Sequence, residues 1–166
     1  MFHILDIHLS NYNKDYQLNT MDNYNLITII NGINIYLGNI RSRNLLPHDN
    51  QDIVMLVLLN NYEFNNTDIY YNFFAFKYIS IFDNEKTNII DHFDDTYKFI
   101  SKFIGKKHIL FHCGAGRSRS AAFLIAFLIR HFKIKYNAAF DTINAVRHIC
   151  PNDGFRKQLE LYAQLN

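Results

Sequence analysis

One stretch of the chain, His108 to Ile129, restricts the fold more than any other. The apolar run His108-Ile109-Leu110-Phe111 leads into His112-Cys113-Gly114-Ala115-Gly116-Arg117-Ser118-Arg119-Ser120, and an unbroken apolar segment, Ala121 to Ile129, follows directly. This order reads as strand, tight glycine-containing loop, helix. A loop that turns from a strand into a helix aims several backbone N–H groups and the positive end of the helix dipole at one point, which makes an anion site. Gly114 and Gly116 put no side chain over that point. Arg119, in the first helical turn, offers a planar fork of donors suited to two phosphate oxygens. Cys113 stands at the mouth of the same site, where dipoles and positive charge favour the thiolate, the form that attacks phosphorus. The local chemistry points to phosphoryl transfer through a covalent bond to sulfur.

The run His-Cys-x-x-Gly-x-x-Arg-Ser, carried here by His112 to Ser120, resembles the signature of the cysteine-dependent protein tyrosine phosphatase superfamily. Its fuller form, His-Cys-x-Ala-Gly-x-Ser-Arg-Ser, is similar to that of the dual-specificity branch. Ile33 to Asn39, with its Tyr-Leu-Gly-Asn ending, resembles the opening strand of that branch, and Pro151-Asn152-Asp153-Gly154-Phe155 with Gln158-Leu159 resembles a C-terminal segment of it. The matches run from about residue 33 to residue 160.

The resemblance implies a set of roles. Cys113 is the nucleophile, and Gly114, Ala115, Gly116, Arg117, Ser118 and Arg119 form the phosphate cradle. His112 tunes the thiolate by hydrogen bonding, and Ser120 eases the departure of sulfur when the cysteinyl-phosphate is hydrolysed. An upstream aspartate protonates the leaving oxygen. Asp83 follows the apolar run Tyr78 to Phe82, about 30 residues before Cys113, and is the expected general acid. The rival carboxylates Asp91, Asp94 and Asp95 fall within 88–103, where apolar residues recur at roughly helical spacing, so they are expected on a solvated helix face. The resemblance implies phosphorylated proteins as substrates, with neither metal nor cofactor. Three points stay open at this level. Arg117 either favours a more anionic substrate or points into solvent. The Pro151–Phe155 segment either only starts a helix, with Asn152 or Asp153 as its cap, or also shapes the site. Non-protein substrates such as phosphatidylglycerophosphate, a phosphoinositide or an RNA 5′-phosphate compete with phosphoproteins, as does a binding-only role. Cys150 is expected to pack in the core rather than pair with Cys113.

The rest of the chain supplies a scaffold. Leu26–Ile30 and Ile33–Leu37 flank Asn31-Gly32, the strongest short hairpin signal. Ile53 to Leu59 is a continuous apolar run of strand length, as expected of a strand buried on both faces. Strands over 73–81 and 108–112 and helices over 88–103, 119–132, 136–148 and 154–164 complete the reading. It gives an α/β fold with a mostly parallel central sheet flanked by helices and the site at the C-terminal ends of strands. Residues 1–25 form an arm or cap, and 26–166 the catalytic domain.

Composition bounds the setting. At 166 residues and 49% hydrophobic, the chain is expected to bury one core. A net charge of +2 is too mild to indicate nucleic-acid binding. The nine residues Ala121 to Ile129 fall short of the roughly 20 needed to span a bilayer, and Met1 to Leu9 shows no basic leader. A soluble protein of the cytoplasm or nucleus is expected, monomeric or homodimeric, with its two cysteines in a reducing compartment. Asn65-Asn66-Thr67 reads as a polar loop. The bias toward Asn, Ile, Tyr and Phe fits an A/T-rich genome, such as that of a large DNA virus or a parasite.

Overall fold

The computed structural model describes residues 23–64 and 68–166. The arm expected over residues 1–25 lies outside the described residues as far as residue 22, and so does Asn65-Asn66-Thr67.

Two strands, β1 (Tyr24–Ile30) and β2 (Ile33–Gly38), form the hairpin expected from Asn31-Gly32. Asn31 and Gly32 have φ of 49° and 79°, the two left-handed positions that a type I′ turn requires. Three further strands follow, β3 (Ile53–Leu59), β4 (Ala75–Ser80) and β5 (His108–Cys113). The sheet order is β1-β2-β5-β3-β4, with β1 antiparallel to β2 and the other pairs parallel. All seven residues of β3 are buried, as its uninterrupted apolar sequence requires. β5 is hydrogen-bonded to β2 on one side and β3 on the other, so the strand that leads into the loop sits mid-sheet.

Four helices complete the fold: α1 (Phe93–Ser101), α2 (Arg119–Phe132), α3 (Tyr136–Asn144) and α4 (Asp153–Leu165). Every residue of α2 from Arg119 to Ile129 is buried. A helix apolar around its whole circumference must be covered all round. α2 packs on β2, β3 and β5 and is covered by α1, α3 and α4. The opposite face of the sheet carries a smaller core of Tyr36, Ile53, Met55, Val57, Leu59, Tyr70, Phe73 and Leu110, closed by loops and short 3₁₀ turns.

Two helices are shorter than their periodicity suggests, each for a local reason. At 88–103 a 3₁₀ turn, Ile90–His92, precedes α1, and the side-chain oxygen of Gln158 accepts the amides of Ile89 and Ile90. Over 136–148, α3 stops at Asn144, whose side chain accepts the Ile149 amide at 3.1 Å, and residues 145–148 turn back toward the loop after β5.

Leu56 is fully buried at the middle of β3. Leu56→Ala is expected to cost about 2–5 kcal/mol, read as a lower urea midpoint with an unchanged denaturant slope.

Candidate active site

β5 ends at Cys113 and α2 begins at Arg119, so the intervening five residues must reverse direction between two buried elements. Four successive carbonyls of this loop are tied from outside it. Gly114 O accepts from the Ile40 amide (3.2 Å), Ala115 O from Arg147 Nη2 (3.2 Å), Gly116 O from Arg147 Nε (2.8 Å) and Arg117 O from the Cys150 amide (2.8 Å). The peptide bonds are all trans among the described residues, and a trans peptide points its N–H opposite to its C=O. Outward carbonyls at 114–117 therefore turn the amides of Ala115, Gly116, Arg117 and Ser118 inward. The Gly116 amide shows the result, donating to Cys113 Sγ at 3.2 Å. Gly116 has φ of 70°, and a Cβ there would lie 2.4 Å from the Gly38 carbonyl carbon, so only glycine fits.

Cys113 is 1% exposed at the base of this loop. Its sulfur also accepts from Ser120 Oγ at 3.1 Å, and both hydrogen bonds suit a thiolate. Ser118 precedes α2 without capping it, and its hydroxyl instead donates to Asp83 at 2.6 Å. The first amides of α2 thus lack a side-chain cap and face the same loop.

Arg119 is 6% exposed. Glu63, in the loop after β3, grips it with both carboxylate oxygens, Nη2 to Oε1 at 2.9 Å and Nη1 to Oε2, and Nη1 also reaches the Ile81 carbonyl at 3.3 Å. Burial opposes the guanidinium charge, but Glu63, Cys113 and Asp83 together outweigh it and raise the pKa. The same bond holds the Glu63 carboxyl below its ordinary range, against partial burial. Arg119 Nε is buried and has no hydrogen-bond partner among the described residues. Asp83 Oδ2 lies 3.7 Å from it. Glu63 was not among the expected site residues. The available signal is its place, since it follows the apolar β3 run at the sheet end where the site was expected, in an Asn60-x-x-Glu63 turn closed by reciprocal bonds.

Asp83 is brought to this arginine by the C-terminal segment. Its Oδ1 accepts from Asn152 Nδ2 at 3.0 Å as well as from Ser118. Asn152 also caps α4, its Oδ1 accepting the Phe155 amide at 3.0 Å. A Cβ on Gly154 would sit 2.0 Å from the Glu85 carbonyl oxygen, so that helix start presses directly on the Asp83 loop. Gln158 closes the arrangement by bonding Ile89, Ile90 and Thr87. The Pro151–Phe155 motif is both a helix start and a support for the site. Asp91, Asp94 and Asp95 are exposed, and the latter two pair with Arg130 and Lys77 on the helix surface.

His112 is fully buried with its ring stacked on Tyr70 at 5.7 Å. Burial, aided by nearby Arg43, pushes its pKa down to about 3, so it is neutral. A backbone interaction with Cys113 opposes that fall without giving either ring nitrogen hydrogen-bond geometry, and the ring makes no bond to Sγ. Arg117 is exposed and serves the loop through its backbone. Cys150 is exposed, which corrects the expected core position. Ile149, 2% exposed, takes the buried place beside it, and the following residue faces out.

Two outcomes follow from this geometry. Between pH 6.5 and about 3 the unfolded chain protonates His112 while the native chain does not, so stability falls as pH drops through that window. The slope reaches about 1.4 kcal/mol per pH unit; urea midpoints measured between pH 7 and 4.5 should fall faster for the native chain than for His112→Gln. Asn152→Ser keeps a capping hydroxyl but loses the amide donor to Asp83. It should lower stability by less than about 1 kcal/mol, read as the urea midpoint at pH 7 beside that of Asn152→Ala.

The architecture and sequence match known proteins. Residues 35–164 match the model of the dual specificity phosphatase catalytic domain. A Dictyostelium discoideum protein named a probable dual specificity protein phosphatase is 32% identical over 93% of this chain and 66% of its own length. Mouse dual specificity protein phosphatase 19 is 40% identical over 54% of this chain and 41% of its own. The chain thus spans two thirds or less of these relatives. Among solved structures, the human tyrosine phosphatase-like serine/threonine/tyrosine-interacting protein is 34% identical, with a TM-score of 0.67 over 79% of this chain and 91% of its own. Human DUSP28, at 24% identity and a TM-score of 0.68 over 79% of this chain and 88% of its own, shares the fold. With Cys113, Arg119 and the loop between them inside the matched span, the chain belongs to the dual specificity phosphatase catalytic-domain family.

Proposed function

We propose that this chain is a cysteine-dependent phosphatase that hydrolyses phosphotyrosine and phosphoserine or phosphothreonine in proteins. The observation that carries the reading is the gathering around one loop of Cys113 Sγ, the inward loop amides, a buried Arg119 Nε with no hydrogen-bond partner among the described residues, and the Asp83 carboxyl. A phosphate ester entering the loop supplies the acceptors that these donors need.

The reaction proceeds in two steps. The Cys113 thiolate attacks phosphorus while the amides of residues 115–118 and Arg119 hold the non-bridging oxygens. The bond from phosphorus to the leaving oxygen breaks, and that oxygen takes a proton from the Asp83 carboxylic acid. Water then attacks the phosphorus of the cysteinyl-phosphate and gives a proton to the Asp83 carboxylate. The phosphorus–sulfur bond breaks, and the Ser120 hydroxyl, already 3.1 Å from Sγ, stabilises the departing thiolate. Glu63 holds the guanidinium through Nη1 and Nη2 and leaves Nε out of that pairing.

Phosphorylated proteins are favoured as substrates by family membership and by the names of the relatives. Cys113→Ser should lower hydrolysis of p-nitrophenyl phosphate by at least about 10⁴-fold while a phosphopeptide still binds. Asp83→Asn should slow the first step by about 100-fold, more for alkyl than for aryl leaving groups. An active Cys113→Ser protein would sink the mechanism. Turnover of phosphatidylglycerophosphate or triphosphorylated RNA, in preference to phosphopeptides, would sink the substrate class alone.

A further inference from the structure

Arg147 lies in the turn between α3 and α4, outside the residues that meet the phosphate in the scheme above. Among the described residues its guanidinium reaches Gly116 O from Nε at 2.8 Å, Ala115 O from Nη2 at 3.2 Å and Asn25 Oδ1, on β1, from Nη1 at 2.8 Å. The first two belong to adjacent peptide units of the phosphate loop. The N–H groups of those same units are those of Gly116, which donates to Cys113 Sγ, and of Arg117, which its outward-tied carbonyl neighbour turns to the same side.

We infer that Arg147 is a positioning residue for phosphate binding, holding two peptide planes of the loop so that their amides rather than their carbonyls face the anion. The loop's own sequence does not fix those planes, because a glycine backbone such as Gly116, here at φ 70°, has more than one allowed conformation. A plane turned over would present a carbonyl oxygen to a phosphate dianion, replacing an attraction with a repulsion. The neighbouring planes are held by the backbone amides of Ile40 and Cys150. Arg147 does the same by side chain, and it needs the guanidinium fork, since one ammonium cannot reach two carbonyls and Asn25 in fixed directions. The bond to Asn25 sets the rotation of the fork and ties the hairpin strand β1 to the cradle. The inference rests on the loop being the phosphate site, as read under the proposed function.

The test uses the full chain with Arg147→Met and Arg147→Lys. Three quantities are measured: kcat and KM on p-nitrophenyl phosphate, the inhibition constant of orthovanadate, and the pH dependence of Cys113 alkylation by iodoacetamide. Arg147→Met should lose about 100-fold in kcat/KM and a comparable factor in orthovanadate affinity, with the alkylation midpoint moved to higher pH. Arg147→Lys should recover part of each. Unchanged orthovanadate affinity and alkylation midpoint in Arg147→Met, whatever its stability, overturns the inference. If that variant does not fold, Arg147→Lys and Asn25→Ala are read on the same quantities, and native values in both overturn it. A native chain that binds orthovanadate but turns over no ester counts against the proposed hydrolysis and not against Arg147, which the binding and alkylation arms still decide.

Discussion

Because β5 has hydrogen-bonded neighbours on both sides and α2 is buried around its whole circumference, the segment between them has almost no freedom in where it begins and ends. The close approach of sulfur to the start of a helix follows from that confinement. Repacking either element would move Cys113 and Arg119 relative to one another. Here the core sets where Cys113 sits, and the nine apolar residues from Ala121 to Ile129 serve the geometry of the site as much as stability.

Charge is arranged around one buried guanidinium. Glu63 approaches from the loop after β3 and Asp83 from the loop after β4, while the loop after β5 carries the sulfur. Three neighbouring parallel strands thus each deliver one ionisable group at their C-terminal ends, as expected of an open parallel sheet. Burying a cation costs several kcal/mol unless it is paired and hydrogen-bonded. Glu63 makes the burial of Arg119 tolerable without using Nε, so that donor stays buried with no hydrogen-bond partner among the described residues.

Much of this was legible in the sequence, because local pattern and local function coincide there. The loop, the strand before it and the helix after it were readable from residues 108–132 alone, and Asn31-Gly32 announced its hairpin. Glu63 was not, since its role depends on strand order: β3 and β5 are adjacent in space but separated by β4 and α1 in the chain. The shortening of α1 and α3 was hidden for a related reason. Each end carries a bond from a polar side chain, Gln158 of another helix at the start of the first and Asn144, the last residue of its own helix, at the end of the second. Periodicity of apolar residues does not register such bonds. Cys150 was misplaced because a cysteine's hydrophobicity says nothing about which of two adjacent residues turns inward, and Ile149 takes that place.

The clamp formed by Asn152, Gly154 and Gln158 on residues 83–90 has a consequence for how the protein reaches its working state. The same C-terminal stretch holds both sides of the site: Arg147 and Cys150 tie the loop after β5, and Asn152 ties Asp83. Loosening it would disturb the surroundings of Cys113 and Asp83 together. The two halves of the site, 30 residues apart in sequence, are thereby made to assemble or fail as one unit.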